Sequence, residues 1–96
     1  MGRGRSMDPA RLQVLEQQAE HFQIQPTLPE EHWPERAEHL QLTLYLDQQP
    51  RMDQLEAQLE QHLGKLLHQE RITFRTLLMG RLRRWTEQAC HARNVQ

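Results

Sequence analysis

Six histidines, a set of carboxylates and one cysteine are the residues of this 96-residue chain with the most chemical potential. His32, Glu35 and His39 come nearest to a metal pattern, since Glu35 and His39 are four apart and would share one flank of a helix. His32, however, stands just before Pro34, where helix is disfavoured, and neither HExxH nor CxxC occurs. Solvated histidines are the ordinary outcome of such a pattern. Cys90 is followed directly by His91, and neighbours along a helix do not face each other, so the two make no nucleophile–base pair. Cys90 reads as a lone buried thiol. No glycine-rich phosphate loop is present, and the carboxylates fall in amphipathic repeats whose solvated faces account for them. The expectation is a chain with no catalytic residue, no cofactor and no metal: not an enzyme.

The arginines are the stronger signal. Arg71, Arg75, Arg81, Arg83 and Arg84 crowd one stretch, and a helix that binds nucleic acid would spend such a run on phosphates. Here they point in nearly every helical direction, and Arg71 and Arg75 continue the Leu78/Leu82 line. The whole chain is slightly acidic at a formal −1, which gives little long-range attraction to DNA. Arg81, Arg84 and Trp85 are instead the residue types that dominate protein-interface hot spots. The alternative for Trp85 is that it anchors one of the shorter helices.

Charge is unevenly placed. From Met7 to His62 there are eleven acidic and three basic residues, and from Leu63 to Gln96 seven basic and two acidic. Either the two halves face each other or the basic half meets an acidic partner. Hydrophobic residues are only 36% of the chain, below the ~45% usual for globular proteins. So thin a core invites a second chain or a partner to supply burial. No apolar run approaches the ~20 residues of a membrane span, and no leader with an apolar centre is visible. A single cysteine allows no internal disulfide, which suits a reducing, cytoplasmic setting.

The elements that must position these residues read as helices. Residues 1–7 are expected to be a disordered start or an added leader. Asp8 can cap a first helix over 9–22, with Pro9 at its first position and Leu12, Leu15, Ala19 and Phe22 on one stripe. Residues 23–34 form a connector broken by Pro26, Pro29 and Pro34 and anchored by Ile24, Leu28 and Trp33. Over 35–47, Leu40, Leu42, Leu44 and Leu46 alternate as a strand would, but good helix formers precede them and no partner strand exists, so helix is favoured. As a helix, it carries Leu42 and Leu46 well off the Leu40/Leu44 line, an apolar face too wide for one neighbour. Gln49 before Pro50 predicts a break there.

From Pro50 to Ala92 the sequence predicts one continuous or kinked helix, about 65 Å long if straight. Its first stripe (Met52, Leu55, Leu59, Leu63, Leu66) and its second (Phe74, Leu78, Leu82, Trp85, Ala89) are rotated by roughly a quarter turn at 100° per residue. The segment between them, His68 to Arg71, has no apolar residue. The predicted fold is all-α: two short helices packed on a long C-terminal helix, forming a single small domain over 8–96 and a helical-bundle homodimer.

In size, long C-terminal helix and apolar stripe the chain resembles small helical bacterial regulators, namely secretion or flagellar chaperones and anti-activators that mask a partner's interface. That resemblance implies a non-catalytic regulator or adaptor that binds or sequesters a partner protein. The alternative is a helical nucleic-acid-binding protein that uses the arginine-rich C-terminal helix. Because two short helices cannot easily cover both stripes, the partner is expected on the second, at Phe74, Leu77, Leu78, Arg81, Leu82, Arg84 and Trp85.

Overall fold

A computed structural model describes residues 7–94. The expected disordered start lies, apart from Met7, outside the described residues. Three α-helices pack together: α1 (Pro9–Glu20), α2 (Ala37–Leu63) and α3 (His68–Asn94), with a short 3-10 turn at Glu30–His32 in the connector. No strand occurs among the described residues. The alternating leucines are helical: Leu40 and Leu44 are buried, whereas Leu42 and Leu46 face water.

Asp8 and Pro9 start α1 by their own chemistry. The Asp8 carboxylate accepts the Ala10 N–H at 2.9 Å, and Pro9 stands where a missing N–H costs nothing.

Two boundaries differ from those predicted. The chain does not break at Asp47–Pro50; α2 runs through Pro50. Pro50 cannot donate to the Leu46 carbonyl, but Pro50 is exposed and Leu46 is 62% exposed, so water can take over that acceptor. The chain breaks instead at Gly64, so the predicted 50–92 spine is the second half of α2 and most of α3, two antiparallel helices that are each 27 residues long in full. Gly64 has φ 82° and ψ −173°, a conformation essentially reserved for glycine. Its N–H still closes α2 on the Glu60 carbonyl at 2.7 Å. Glu70 then starts α3. At the third helical position, its carboxylate accepts the Leu67 N–H at 2.9 Å, one half of a capping box. The abrupt change of phase between the two stripes is the trace of this turn.

The α2–α3 hairpin is covered along one side by a third layer. α1 forms the half of that layer nearest the turn, where Arg11 donates to the Leu63 carbonyl at 3.1 Å and grips Glu70 through two nitrogens. The connector forms the other half. Buried Gln48 of α2 treats it as a strand would: its Oε1 accepts the Gln25 N–H and its Nε2 donates to the Gln25 carbonyl, at 3.2 and 3.0 Å. Asp47 accepts hydrogen bonds from the backbone N–H and hydroxyl of Thr27. On α3, Trp85 meets Trp33 edge to face at 5.5 Å between centroids, and Arg93 donates to the Pro34 carbonyl at 3.0 Å. Between the layers lie Leu15 of α1, Phe22 just beyond its end, Leu40, Leu44, Met52 and Leu59 of α2, and Phe74, Leu78 and Leu82 of α3. The result is a rod of 53 × 25 × 17 Å with a radius of gyration of 15.6 Å, against about 12 Å for a compact chain of this length.

Candidate interaction surfaces

The seven residues expected to meet a partner divide into two groups. Phe74, Leu78 and Leu82 are fully buried in the chain's own core. The reason is reach. The premise that two short helices must leave the second stripe open fails, because α2 is 27 residues long and the connector lies on α3 beyond the end of α1. Leu77, Arg81, Arg84 and Trp85 lie on the flank of α3 that faces α1 and the connector. Leu77, Arg81 and Arg84 border a cleft with Glu16 and Glu20, and Arg81, Arg84 and Trp85 border the next one with Phe22 and Ile24. Here Arg81 donates to the Phe22 carbonyl at 3.2 Å, and Trp85 packs on Trp33 of the connector. Arg84 is exposed, makes no ion pair among the described residues, and lies across Gly80.

Acidic α2 and basic α3 face each other. Arg71 bridges Glu56 and Glu60 at 2.7 and 2.6 Å, and Arg75 bridges Glu56 and Asp53 at 2.8 and 2.6 Å. Two of the five clustered arginines are therefore ion-paired within the chain. Glu70 is 1% exposed and shares a forked contact with Arg11 at 2.6 and 2.9 Å. The hydrogen bonds from Arg11 hold the Glu70 carboxyl below its ordinary value against burial, which pushes the other way. At Asp47 burial is the largest influence and opposes ionisation, yet the hydrogen bonds from Thr27 and Gln48 together hold its carboxyl below the ordinary value.

Among the described residues, no three His, Cys, Asp or Glu side chains gather closely enough to hold a metal ion. His32 and His39 are exposed, the first in the 3-10 turn and the second on α2. Cys90 is a buried free thiol whose Sγ lies 3.6 Å from the Glu35 carbonyl. No helix among the described residues is long and apolar enough to cross a membrane.

The uncovered apolar surface lies elsewhere, on helix surfaces that the third layer does not cover. Leu42 and Leu46, one turn apart on α2, are 59% and 62% exposed, and Ile72 on α3 is 45% exposed. Leu67, 64% exposed, stands at the turn. Ile72 and Met79 line a shallow groove of about 510 Å³ together with Glu56 and the stems of Arg71 and Arg75. Single surface leucines are ordinary; a pair one turn apart on the same element, with an apolar groove on the next helix, is the kind of grouping that marks an interface. Leu42 and Leu46 were legible as the excess width of the α2 face. Ile72 and Met79 were not, because nothing in the sequence says that their flank of α3 lies beside α2. The chain matches no protein-family model, no curated protein and no solved structure.

Proposed function

We propose that this chain is a non-catalytic protein-interaction module, a small cytoplasmic regulator or adaptor that binds or sequesters a partner protein through its helical surfaces. The carrying observation is the set of exposed aliphatic side chains outside a core that the chain closes by itself: Leu42 and Leu46 on α2, and Ile72 in its groove on α3. An amphipathic helix that keeps a second apolar face is suited to helix-on-helix recognition. The internal pairing of Arg71 and Arg75 leaves fewer cations for phosphates, which favours a protein over a nucleic acid as the partner.

Capture from a lysate of the cells that make this chain tests the reading. Wild type is compared with the double variant Leu42→Glu/Leu46→Glu, with circular dichroism as a check on the fold. A protein retained by wild type and lost by the folded variant supports the proposal. Capture that ignores the substitutions overturns this surface as the docking site. A gel shift with nucleic acid that weakens steeply with salt would overturn the protein-partner reading.

A further inference from the structure

Resting on the interaction-module reading, we infer that the partner of the open α2–α3 face is a second copy of this chain, docked by a two-fold axis. Leu42 and Leu46 of each copy would lie on the Ile72–Met79 groove of the other.

The placement of the apolar groups is the first reason. On α2, Leu42, Tyr45, Gln49 and Asp53 follow 3-4-4 spacing and form one stripe. Asp53 and Glu56 are ion-paired to Arg75, so this stripe runs beside the flank of α3 that carries Ile72 and Met79. Measured from the Asp53–Arg75 level at about 1.5 Å per residue, Leu42 stands roughly 16 Å towards one end and Ile72 roughly 5 Å towards the other. Their midpoint falls at the level of Gln49 and Met79. A two-fold axis through that level brings Leu42 of one copy to Ile72 of the other, and Ile72 to Leu42, in the same step. In an isologous interface every contact occurs twice, so projection and groove must both be present on one face. A foreign partner would need only one of them.

Charge is the second reason. A face that meets its own copy must not carry net charge, since like charges juxtaposed across an interface are costly. Here Asp53, Glu56 and Glu60 are offset by Arg71, Arg75 and exposed Arg83, which follows Ile72 and Met79 at 7-4 spacing on α3, and the first five are already paired within the chain. An acidic or basic partner would find little to recognise.

Area is the third reason. Even the narrower side of the rod, 53 × 17 Å, spans roughly 900 Å², room for the ~800 Å² per partner of a standard stable interface.

Sedimentation of the full chain at tens of micromolar is the experiment. The expected mass is twice the 11.5 kDa of one chain. Leu42→Lys and Ile72→Glu, both at exposed positions, should each give the single-chain mass with unchanged helicity and little change in melting. Mixing the two variants should restore the double mass. In the mixed pair one contact joins Lys to Glu and the other is the native Leu–Ile contact. A single-chain mass for wild type overturns the inference, as does a double mass that survives both substitutions. Failure of the mixture to reassemble overturns the reciprocal pairing. If wild type is a monomer yet captures a protein through Leu42 and Leu46, the second copy is excluded while the interaction-module reading stands.

Discussion

Two residues hold the turn end of the molecule for different physical reasons, and each can be tested alone. Glu70 is a buried carboxylate held by Arg11 and by the Leu67 N–H. Its folded-state pKa lies below the unfolded one, so its contribution is fully present above the unfolded value of about 4.3 and fades as pH falls through the folded value. We expect Glu70→Gln to lose about 1–2 kcal/mol at neutral pH, near the low end for a charged hydrogen bond because Arg11 stays partly in water. Urea titrations should show the gap to wild type narrowing below about pH 4.3; a gap independent of pH would mean that the carboxylate's charge is not what matters. Gly64 acts through the backbone alone. A Cβ built there would meet nothing within 4 Å, so Gly64→Ala isolates the cost of φ 82°. That cost should be about 1–3 kcal/mol, read as a lower melting temperature, and a neutral result would show that the turn can relax.

At the scale of elements, the sequence showed clearly where local chemistry decides and failed where tertiary context does. α1 starts at Asp8 and Pro9 because a capping oxygen and a fixed φ act over two residues. The 40–46 segment was legible as helix from the helix formers that precede it and the lack of a partner strand, although its leucines alternate; in the helix they sort into two faces, Leu40 and Leu44 inward and Leu42 and Leu46 outward. Pro50 misled because its local rule holds only where the lost acceptor is buried. The turn at Gly64–Leu67 was written as a phase change between the two stripes, but sequence does not show that a glycine takes a positive φ. The candidate surface followed the same division: the outward leucines of α2 were readable, and the groove on α3 exists only once the hairpin is closed. Pro50 also yields a prediction in the stabilising direction. Proline in a helix interior is about 3 kcal/mol worse than alanine, partly offset by the entropy that proline removes from the unfolded chain. Pro50→Ala should therefore stabilise α2 by about 1–3 kcal/mol. At roughly 4–8 °C per kcal/mol for a domain of this size, thermal melting will show the rise or its absence.

The molecule as a whole has one apolar surface that it buries by itself and another that it does not, and a pair of leucines tells them apart. Leu78 is fully enclosed between the layers, whereas Leu46 is 62% exposed. Leu78→Ala removes buried contacts and leaves a cavity, at a cost of about 2–5 kcal/mol. For a chain whose whole stability is of the order of 5–15 kcal/mol, that is a melting temperature lower by roughly 10 °C or more. The loss belongs to the single chain and should be the same at every protein concentration. Leu46→Ala behaves differently. In an isolated chain it is a surface change, within about 0.5 kcal/mol of neutral. If a second copy covers it, association adds stability by mass action, and the wild-type melting temperature rises with concentration. The Leu46→Ala deficit should then be negligible in dilute solution and grow as the protein is concentrated, while the Leu78→Ala deficit stays constant. Melting both variants and wild type from sub-micromolar to hundreds of micromolar separates the two surfaces. Parallel curves for all three proteins across that range would mean that the outer leucines meet only solvent.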